Sequence, residues 1–515
     1  MNKFSLTMIG AAAMTLFSAN AAAFNWSEAT IEQLQQALNS QQITCEAVVQ
    51  GYLDRIHAFD KNGPKINSII TVNSEALALA RQKDKQADKH QPLFCVPVVV
   101  KDNINTKDMP TSLGSSALKN SQPPANAAVV DNLINQGAII LGKANLDEFA
   151  IAMLGLSSAG GQTRNPYILT NGPGGSSGGT GSAVSASLAM VGLGTDTGGS
   201  IRIPAAVAGL TGIRPSRALA DLNGVAPLSK TQDTVGPMCR KVADCAQVLQ
   251  FTEAWSTPER KQQIRDASVK DGLKGARIAL ISGMLPERTE KNRAYYQVID
   301  NALDAMRKAG ATIDIVALPE QEQILKGFKS LAGYEIKQGL TEYLTEWPSD
   351  KDGHVRSYDA LLASKGYAPT TEEWLTLYTG LSDKRNDDPV YKKNIQGRDG
   401  FIRVQLNRVM NGKVRYDAIL YPTITELNMP IGKNTEGRKN VSLSAFSGLP
   451  AISFMAGMTK DSQPQPVALE FLGREFAEPE LISLVYGYEV HHAVRVAPTV
   501  TPELVGTPTS VSKVD

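Results

Sequence analysis

The chain has 515 residues, 42% hydrophobic and 20% charged, a composition ordinary for a globular protein and sufficient for a large core without disulfides or metals. Its formal net charge is +1, and no long basic run appears. No global field therefore draws nucleic acid or acidic lipid, and neither is expected as a partner.

In chain order, Lys3 followed by the mostly apolar run Phe4 to Phe17 reads as a secretory signal. Ala19-Asn20-Ala21 and Ala21-Ala22-Ala23 both offer cleavage patterns, which sets a signal peptide at residues 1–23 and a periplasmic or secreted location. The alternative is a buried or disordered N-terminal segment. No cysteine follows the run, which argues against a lipoprotein. No later apolar stretch reaches the roughly 18 residues of a membrane span. Thr30-Ile31-Glu32-Gln33 is a capping box that opens a helix to about Leu38. Thr44 caps a second helix, on which Val48, Tyr52, Leu53, Ile56 and Phe59 recur at helical spacing.

Val96 to Val100 reads as a buried strand ending just before Lys101 and Asp102. A helix is expected over Ala127 to Asn135, a strand over Ala138 to Leu141, and a loop over Gly142-Lys143-Ala144-Asn145. Ser182 to Met190 reads as a small-residue helix and Val191 to Leu193 as the next strand. This β-α-β rhythm predicts an α/β fold, a sheet covered by helices. From about Thr252 to Asn411 the chain becomes charged and helical-looking, with runs at Asp266–Lys274, Glu290–Lys308 and Pro319–Tyr343. Core-like sequence returns at Asp417 to Thr423 and at Gly448 to Phe454, and residues 496–515 read as a loosely held tail.

Cys45, Cys95, Cys239 and Cys245 have neither zinc-site nor staple-framework spacing. Cys239 and Cys245 either pair across a short loop or stand as separate buried thiols. None of His57, His90, His354, His491 and His492 lies in a His-Glu-x-x-His arrangement, so no metal is expected.

Two glycine-cradled segments carry the chemistry. Gly174-Gly175-Ser176-Ser177-Gly178-Gly179 precedes Thr195-Asp196-Thr197-Gly198-Gly199-Ser200, and each offers a hydroxyl where the backbone can turn sharply. A serine hydroxyl needs a base to become a nucleophile. Neither loop has a histidine nearby in sequence. A desolvated lysine can serve, and Lys101 at the carboxyl end of an apolar strand is the candidate, with Lys143 as a rival. Taken alone, Lys101 reads more simply as a solvated surface group.

Val100-Lys101-Asp102-Asn103, the Gly-Gly-Ser-Ser-Gly-Gly run, Thr195 through Arg202, Gln232-Asp233-Thr234-Val235-Gly236-Pro237 and Pro422-Thr423 together resemble the amidase signature family, over about Phe24 to Ala493. The resemblance implies a single large domain with a central mixed β-sheet, helices on both faces, and a variable helical region near 252–411. It implies a triad of Ser200 as nucleophile, Ser176 as bridge and Lys101 as base, with a cis Gly175–Ser176 peptide. It places an oxyanion hole at the N–H groups of Thr197, Gly198, Gly199 and Ser200. Ser177, the rival of Ser176, joins Asp196, Arg202 and Asp233 as supporting residues, whose plain alternative is a buried ion-pair network. One departure stands out: many members have Gly-Leu-Lys-Pro-Thr where this chain has Gly212-Ile213-Arg214-Pro215-Ser216, which changes hydrogen-bond geometry while keeping charge.

Within the family the chain looks closest to secreted bacterial peptide amidases, and Gly160 to Tyr167 supports that branch. The resemblance implies hydrolysis of linear carboxylic amides with ammonia release, on a small-molecule or short peptide amide. It implies no cofactor, and a monomer or homodimer. Two other readings are an amidotransferase-like subunit, and an exported peptide- or anion-binding protein using the glycine loops as a cradle. A phosphate loop is weaker, because the Gly-Lys-Ser/Thr ending is missing.

Overall fold

The computed structural model describes residues 24–346 and 355–504. The expected signal peptide, His354 and the end of the tail from residue 505 lie outside the described residues. The first helix, Ile31–Asn39, begins where the capping box places it: Thr30 Oγ1 accepts the Gln33 N–H, and Gln33 Oε1 accepts the Thr30 N–H. Thr44 caps the second helix, Cys45–Ile56, through the Ala47 N–H.

Eleven strands form one sheet. In chain order they are β1 (Ile69–Val72), β2 (Pro97–Lys101), β3 (Ile139–Ala144), β4 (Val191–Asp196), β5 (Thr211–Arg214), β6 (Thr234–Cys239), β7 (Arg277–Ile281), β8 (Thr312–Val316), β9 (Ala418–Pro422), β10 (Ala451–Met458) and β11 (Pro466–Leu472). Their spatial order is β1-β3-β2-β4-β6-β5-β10-β11-β9-β7-β8. Neighbours β3, β2 and β4 run parallel, as do β9, β7 and β8. The remaining pairs are antiparallel. The sheet is mixed and flanked by helices in a single α/β domain.

Parallel strands covered on both faces are apolar along their whole length, and Val98, Val99 and Val100 of β2 are fully buried. Each such side chain contributes on the order of 1.5–3 kcal/mol relative to exposure. The helix entering β4 begins inside the glycine run, at Gly178–Ser185, and not at Ser182 to Met190 as the alanine content suggests. Its first turn lies against backbone: a Cβ on Gly179 would sit 2.3 Å from Asn145 O and 2.5 Å from Ser68 O. No side chain fits there, so only glycine brings this helix down onto the end of β3.

Other expectations shift. Gly142, Lys143 and Ala144 belong to β3 rather than to a loop, because Val72 and Thr71 of the edge strand pair with Gly142 and Lys143. The charged run near 266 is helical only over Pro258–Ala267. The run from 319 breaks into one turn at Gln323–Gly327 and the helix Ala332–Thr345. The stretch from 252 to 411 also supplies β7 and β8, one of them on the sheet edge. Near the C-terminus, Arg55 donates to Thr501 O and Pro502 O at 2.9 Å each.

Among the described residues the four cysteines form two disulfides, Cys45–Cys95 and Cys239–Cys245. This replaces the alternative of separate thiols, and the first pair ties the second helix to the entrance of β2. Cross-linking stabilises by restricting the unfolded chain, more so for longer loops. Removing Cys45–Cys95, with a separation of 50 residues, is expected to cost about 4 kcal/mol. Removing Cys239–Cys245, with a separation of 6, is expected to cost about 2 kcal/mol. Urea unfolding of the paired Cys→Ala variants measures both, and an inverted order contradicts the chain-entropy account.

Candidate active site

Three parallel neighbours deliver their carboxyl ends to one edge of the sheet, where α/β proteins build sites. Lys101 is the last residue of β2 and pairs with Ala144, the last of β3. Asp147 follows β3 by a short turn, and the Thr197–Ser200 loop follows β4. The glycine run before the helix Gly178–Ser185 reaches the same edge.

Lys101 is fully buried. Its Nζ lies 2.8 Å from Ser176 Oγ, 2.8 Å from Thr195 Oγ1 and 3.5 Å from Thr195 O. These partners are hydroxyls and a carbonyl rather than a carboxylate. Burial without a neutralising anion pulls the amine down to about 7, although Asp147, Asp233 and Asp196 act in the opposite direction. Asn103 Nδ2 also donates to Thr195 Oγ1, at 3.1 Å, and fixes that hydroxyl against the lysine.

Ser176 is fully buried, and the peptide before it, Gly175–Ser176, is cis. Ser177 turns the other way: its hydroxyl donates to Thr195 O at 3.2 Å and accepts the Thr195 N–H at 3.3 Å. The Ser177 N–H donates to Ser200 O at 3.1 Å, so the two serine loops are joined through backbone. Ser200 is 6% exposed, and among the described residues its hydroxyl has no hydrogen bond, which leaves it able to turn toward a ligand.

Asp196 organises the loop after β4. It accepts the N–H groups of Gly199 at 2.8 Å and Ile201 at 3.2 Å, and is forked by Arg202 Nε at 3.1 Å and Nη2 at 3.3 Å. Arg214 Nη1 reaches it at 3.1 Å. Burial alone would raise the Asp196 carboxyl, but the two guanidiniums more than offset this and hold it well below the usual carboxylate range. Arg202 continues to Glu470 at 2.6 Å and to Val441 O at 3.0 Å. The loop is thus held by a buried ion-pair network, the plain alternative for Asp196 and Arg202.

The geometry narrows the expected set of oxyanion donors. Gly199, at φ +114, directs its N–H into Asp196 and not outward. Among the described residues the N–H groups of Thr197, Gly198 and Ser200 have no acceptor. A Cβ on Gly198 would meet nothing within 4 Å, so the space beside its Cα is open. Asp233 supports the same loop by accepting the Thr197 hydroxyl, and it accepts the N–H groups of Leu228 and Ser229 at 2.9 Å each. Burial raises Asp233 to about 6.

Lys143 is engaged elsewhere, 3.2 Å from Asp102 Oδ1 and 2.7 Å from Thr111 Oγ1. Sequence reasoning missed Asp147. Its carboxyl accepts the N–H groups of Leu154 at 2.6 Å and Gly155 at 2.8 Å, its N–H donates to Ser176 O at 3.2 Å, and burial raises it to about 7. The available signal was its position just past β3, the parallel neighbour of the lysine strand. Sequence reasoning also missed Thr195 as the second partner of the lysine.

Arg214, the departure from the family's usual lysine, spans Asp196 O, Asp196 Oδ1, Thr234 Oγ1 and Gln232 O. An ammonium cannot cover acceptors so spread. Arg214→Lys is expected to destabilise the fold by about 1–3 kcal/mol in urea unfolding. A variant as stable as the parent contradicts this role.

The amidase family model matches residues 47–482. The glutamyl-tRNA(Gln) amidotransferase A subunit of Caldanaerobacter subterraneus subsp. tengcongensis is 31% identical over 89% of this chain and 96% of that protein. Its counterpart in Alkaliphilus metalliredigens is 31% identical over 90% of this chain and 96% of its own length. Among solved structures, the peptide amidase of Stenotrophomonas maltophilia superimposes with a TM-score of 0.81 at 32% identity, covering 93% of this chain and 99% of that one. The curated relatives correct the expectation that the sequence stands closest to secreted peptide amidases, since they are amidotransferase A subunits. The match across most of the chain and the identity to full-length relatives place this protein in the amidase family, whose members are catalytic amide hydrolases.

Proposed function

We propose that the protein hydrolyses a linear carboxylic amide and releases ammonia, with Ser200 as nucleophile, Ser176 as proton bridge and Lys101 as base. The observation that carries the reading is the 2.8 Å bond between the buried Lys101 amine and the Ser176 hydroxyl, beside the Ser200 loop. A lysine near 7 is substantially neutral at ordinary pH and able to accept a proton. In the proposed sequence Ser200 Oγ attacks the amide carbon as its proton passes to Ser176 and the Ser176 proton passes to Lys101. The N–H groups of Gly198 and Ser200, with that of Thr197, stabilise the oxyanion. The protons then return through Ser176 to the amide nitrogen, the C–N bond breaks, and ammonia leaves. Water attacks the acyl ester and gives its proton to the same relay, which releases the acid and restores Ser200.

Two substrate readings follow. Glutamine as ammonia source, in an amidotransferase-like subunit, is favoured by the 31% identity over 96% of the amidotransferase relative. A C-terminal peptide amide or other small amide is supported by the likeness to the peptide amidase fold at 32% identity. The two disulfides support a location outside the reducing cytoplasm, in keeping with the N-terminal pattern. No helix among the described residues is long and apolar enough to cross a membrane. Ammonia release across glutamine, amino-acid amides, peptide amides and aliphatic amides separates the substrates.

On the best amide, Ser200→Ala is expected to lower kcat by at least about 10⁴-fold without changing the unfolding midpoint. Labelling by an active-serine probe at Ser200 accompanies activity in the parent. Turnover in the alanine variant overturns this mechanism, whereas reversible ligand binding with no labelling and no turnover in the parent favours the binding-protein reading.

The pH dependence has a defined sign. The relay needs neutral Lys101, so kcat/KM falls about tenfold per unit as pH drops below about 7. The Asp147 charge raises the lysine, so Asp147→Asn, which keeps an acceptor for Leu154 and Gly155, moves this acid limb to lower pH. An acid limb that stays in place or moves up contradicts the coupling.

A further inference from the structure

Gln232 belongs to a motif whose chemistry the triad does not use. It lies directly before Asp233, and its side chain is fully buried. A carboxamide has two N–H donors and an oxygen with two lone pairs, and here all four are engaged. Nε2 donates to Thr197 O at 3.1 Å and to Ser330 Oγ at 3.2 Å. Oε1 accepts the Leu331 N–H at 2.7 Å and Arg398 Nη1 at 2.8 Å. Two donors on the oxygen fix which way the amide points, so the nitrogen must face the Thr197 carbonyl. Arg398 is itself anchored, donating from Nη1 to Lys329 O at 2.8 Å. The Gln232 carbonyl is held by Arg214 Nη2 at 2.8 Å.

The carbonyl that Gln232 grips belongs to the Thr197–Gly198 peptide. A peptide unit is planar, and in its trans form the N–H points opposite to the C=O. Among the described residues the only cis bond is Gly175–Ser176, so Thr197–Gly198 is trans. Pulling the Thr197 oxygen toward Gln232 therefore drives the Gly198 N–H the other way, where it has no acceptor among the described residues, and a Cβ on Gly198 would meet nothing within 4 Å, so the space beside its Cα is open. Gly198 has no side chain to fix that plane, and the neighbouring Gly199 N–H is already committed to Asp196.

We infer that Gln232 is a positioning residue that locks the Thr197–Gly198 peptide plane and so aims the Gly198 N–H as an oxyanion donor. Ser330, Leu331 and Arg398 belong to the helical region outside the catalytic loops, so packing there sets the orientation of the donor. This rests on the proposed amide hydrolysis at Ser200. It makes a distinct claim: the bonds of Gln232 act on the transition state and not on the bound substrate.

The test uses the full-length enzyme on its best amide, with Gln232→Glu and Gln232→Met. Glutamate keeps an oxygen for Arg398 and Leu331 but offers no donor to Thr197 O. Methionine keeps the volume and removes both functions. Removing an oxyanion donor outright costs about 10²–10³ in kcat. Misaiming one is expected to cost about 10- to 100-fold in kcat with KM within about twofold. The inhibition constant of an aldehyde analogue of the substrate, which forms a tetrahedral adduct on Ser200, rises by the same factor as kcat/KM falls. Parent-like kcat in a folded variant overturns the inference, as does a loss confined to KM or a kcat loss with unchanged aldehyde affinity. Should one variant fail to fold, Arg398→Met, which frees Gln232 Oε1 from one of its two donors, is expected to give the same kcat-specific loss; a parent-like kcat there overturns it too. Full activity of Ser200→Ala in the same assay instead overturns the underlying catalytic reading.

Discussion

The structure depends on keeping an amine out of water without giving it an anion. Lys101 ends a strand whose preceding valines are fully buried, so its stem follows the core and its head meets only Ser176 and Thr195. A carboxylate in direct contact would restore the charge. Asp147, Asp196 and Asp233 act on it from further away, and each is occupied by other donors. Their combined effect is a lysine near neutrality rather than one fully discharged or fully charged.

Around this centre the protein concentrates buried charge where the chain must hold an awkward shape. The Asp196–Arg202–Glu470 chain with Arg214 connects the loop after β4 to strand β11 and to the end of β5. Buried pairs of this kind are weak sources of net stability, and breaking one side of them is costly. Their effect here is geometric: Asp196 ties down the Gly199 and Ile201 N–H groups, and among the described residues those of Gly198 and Ser200 have no acceptor. Gln232 continues the logic without charge, through a saturated amide. The same loop is therefore held from the sheet by arginine and carboxylate, and from the helical region by Gln232.

Much of this was legible in the sequence because local signals agreed with the fold. Thr30 and Thr44 mark helix starts through side-chain bonds that act within three residues. The valine run of β2 and the glycine segments mark a buried strand and close backbone approaches, and family resemblance then gives roles to Lys101, Ser176 and Ser200. What was illegible depends on long-range contact. Disulfide connectivity is not written in spacing, so Cys45–Cys95 could not be inferred. Gly142 to Ala144 look like a loop until the edge strand β1 pairs with them. Strand β8 is an edge strand with exposed and half-exposed residues, so its apolar alternation is diluted, while the short buried run of β7 lies among charged segments. Asp147 offers only its place just past β3, and Gln232, although it opens a family motif, shows its part only through the contacts the fold brings to it. The family branch was misjudged because the motifs that identify the family did not by themselves settle the branch: the chain matches amidotransferase A subunits at 31% identity and a peptide amidase structure at 32%.

The most direct measurement is the protonation of Lys101 itself, by NMR titration of protein labelled at lysine Cε, with the resonance assigned by its loss in Lys101→Met. The account predicts a midpoint near 7, far below the usual lysine value of about 10.4. A Lys101 resonance that stays fully charged past pH 9 would contradict it.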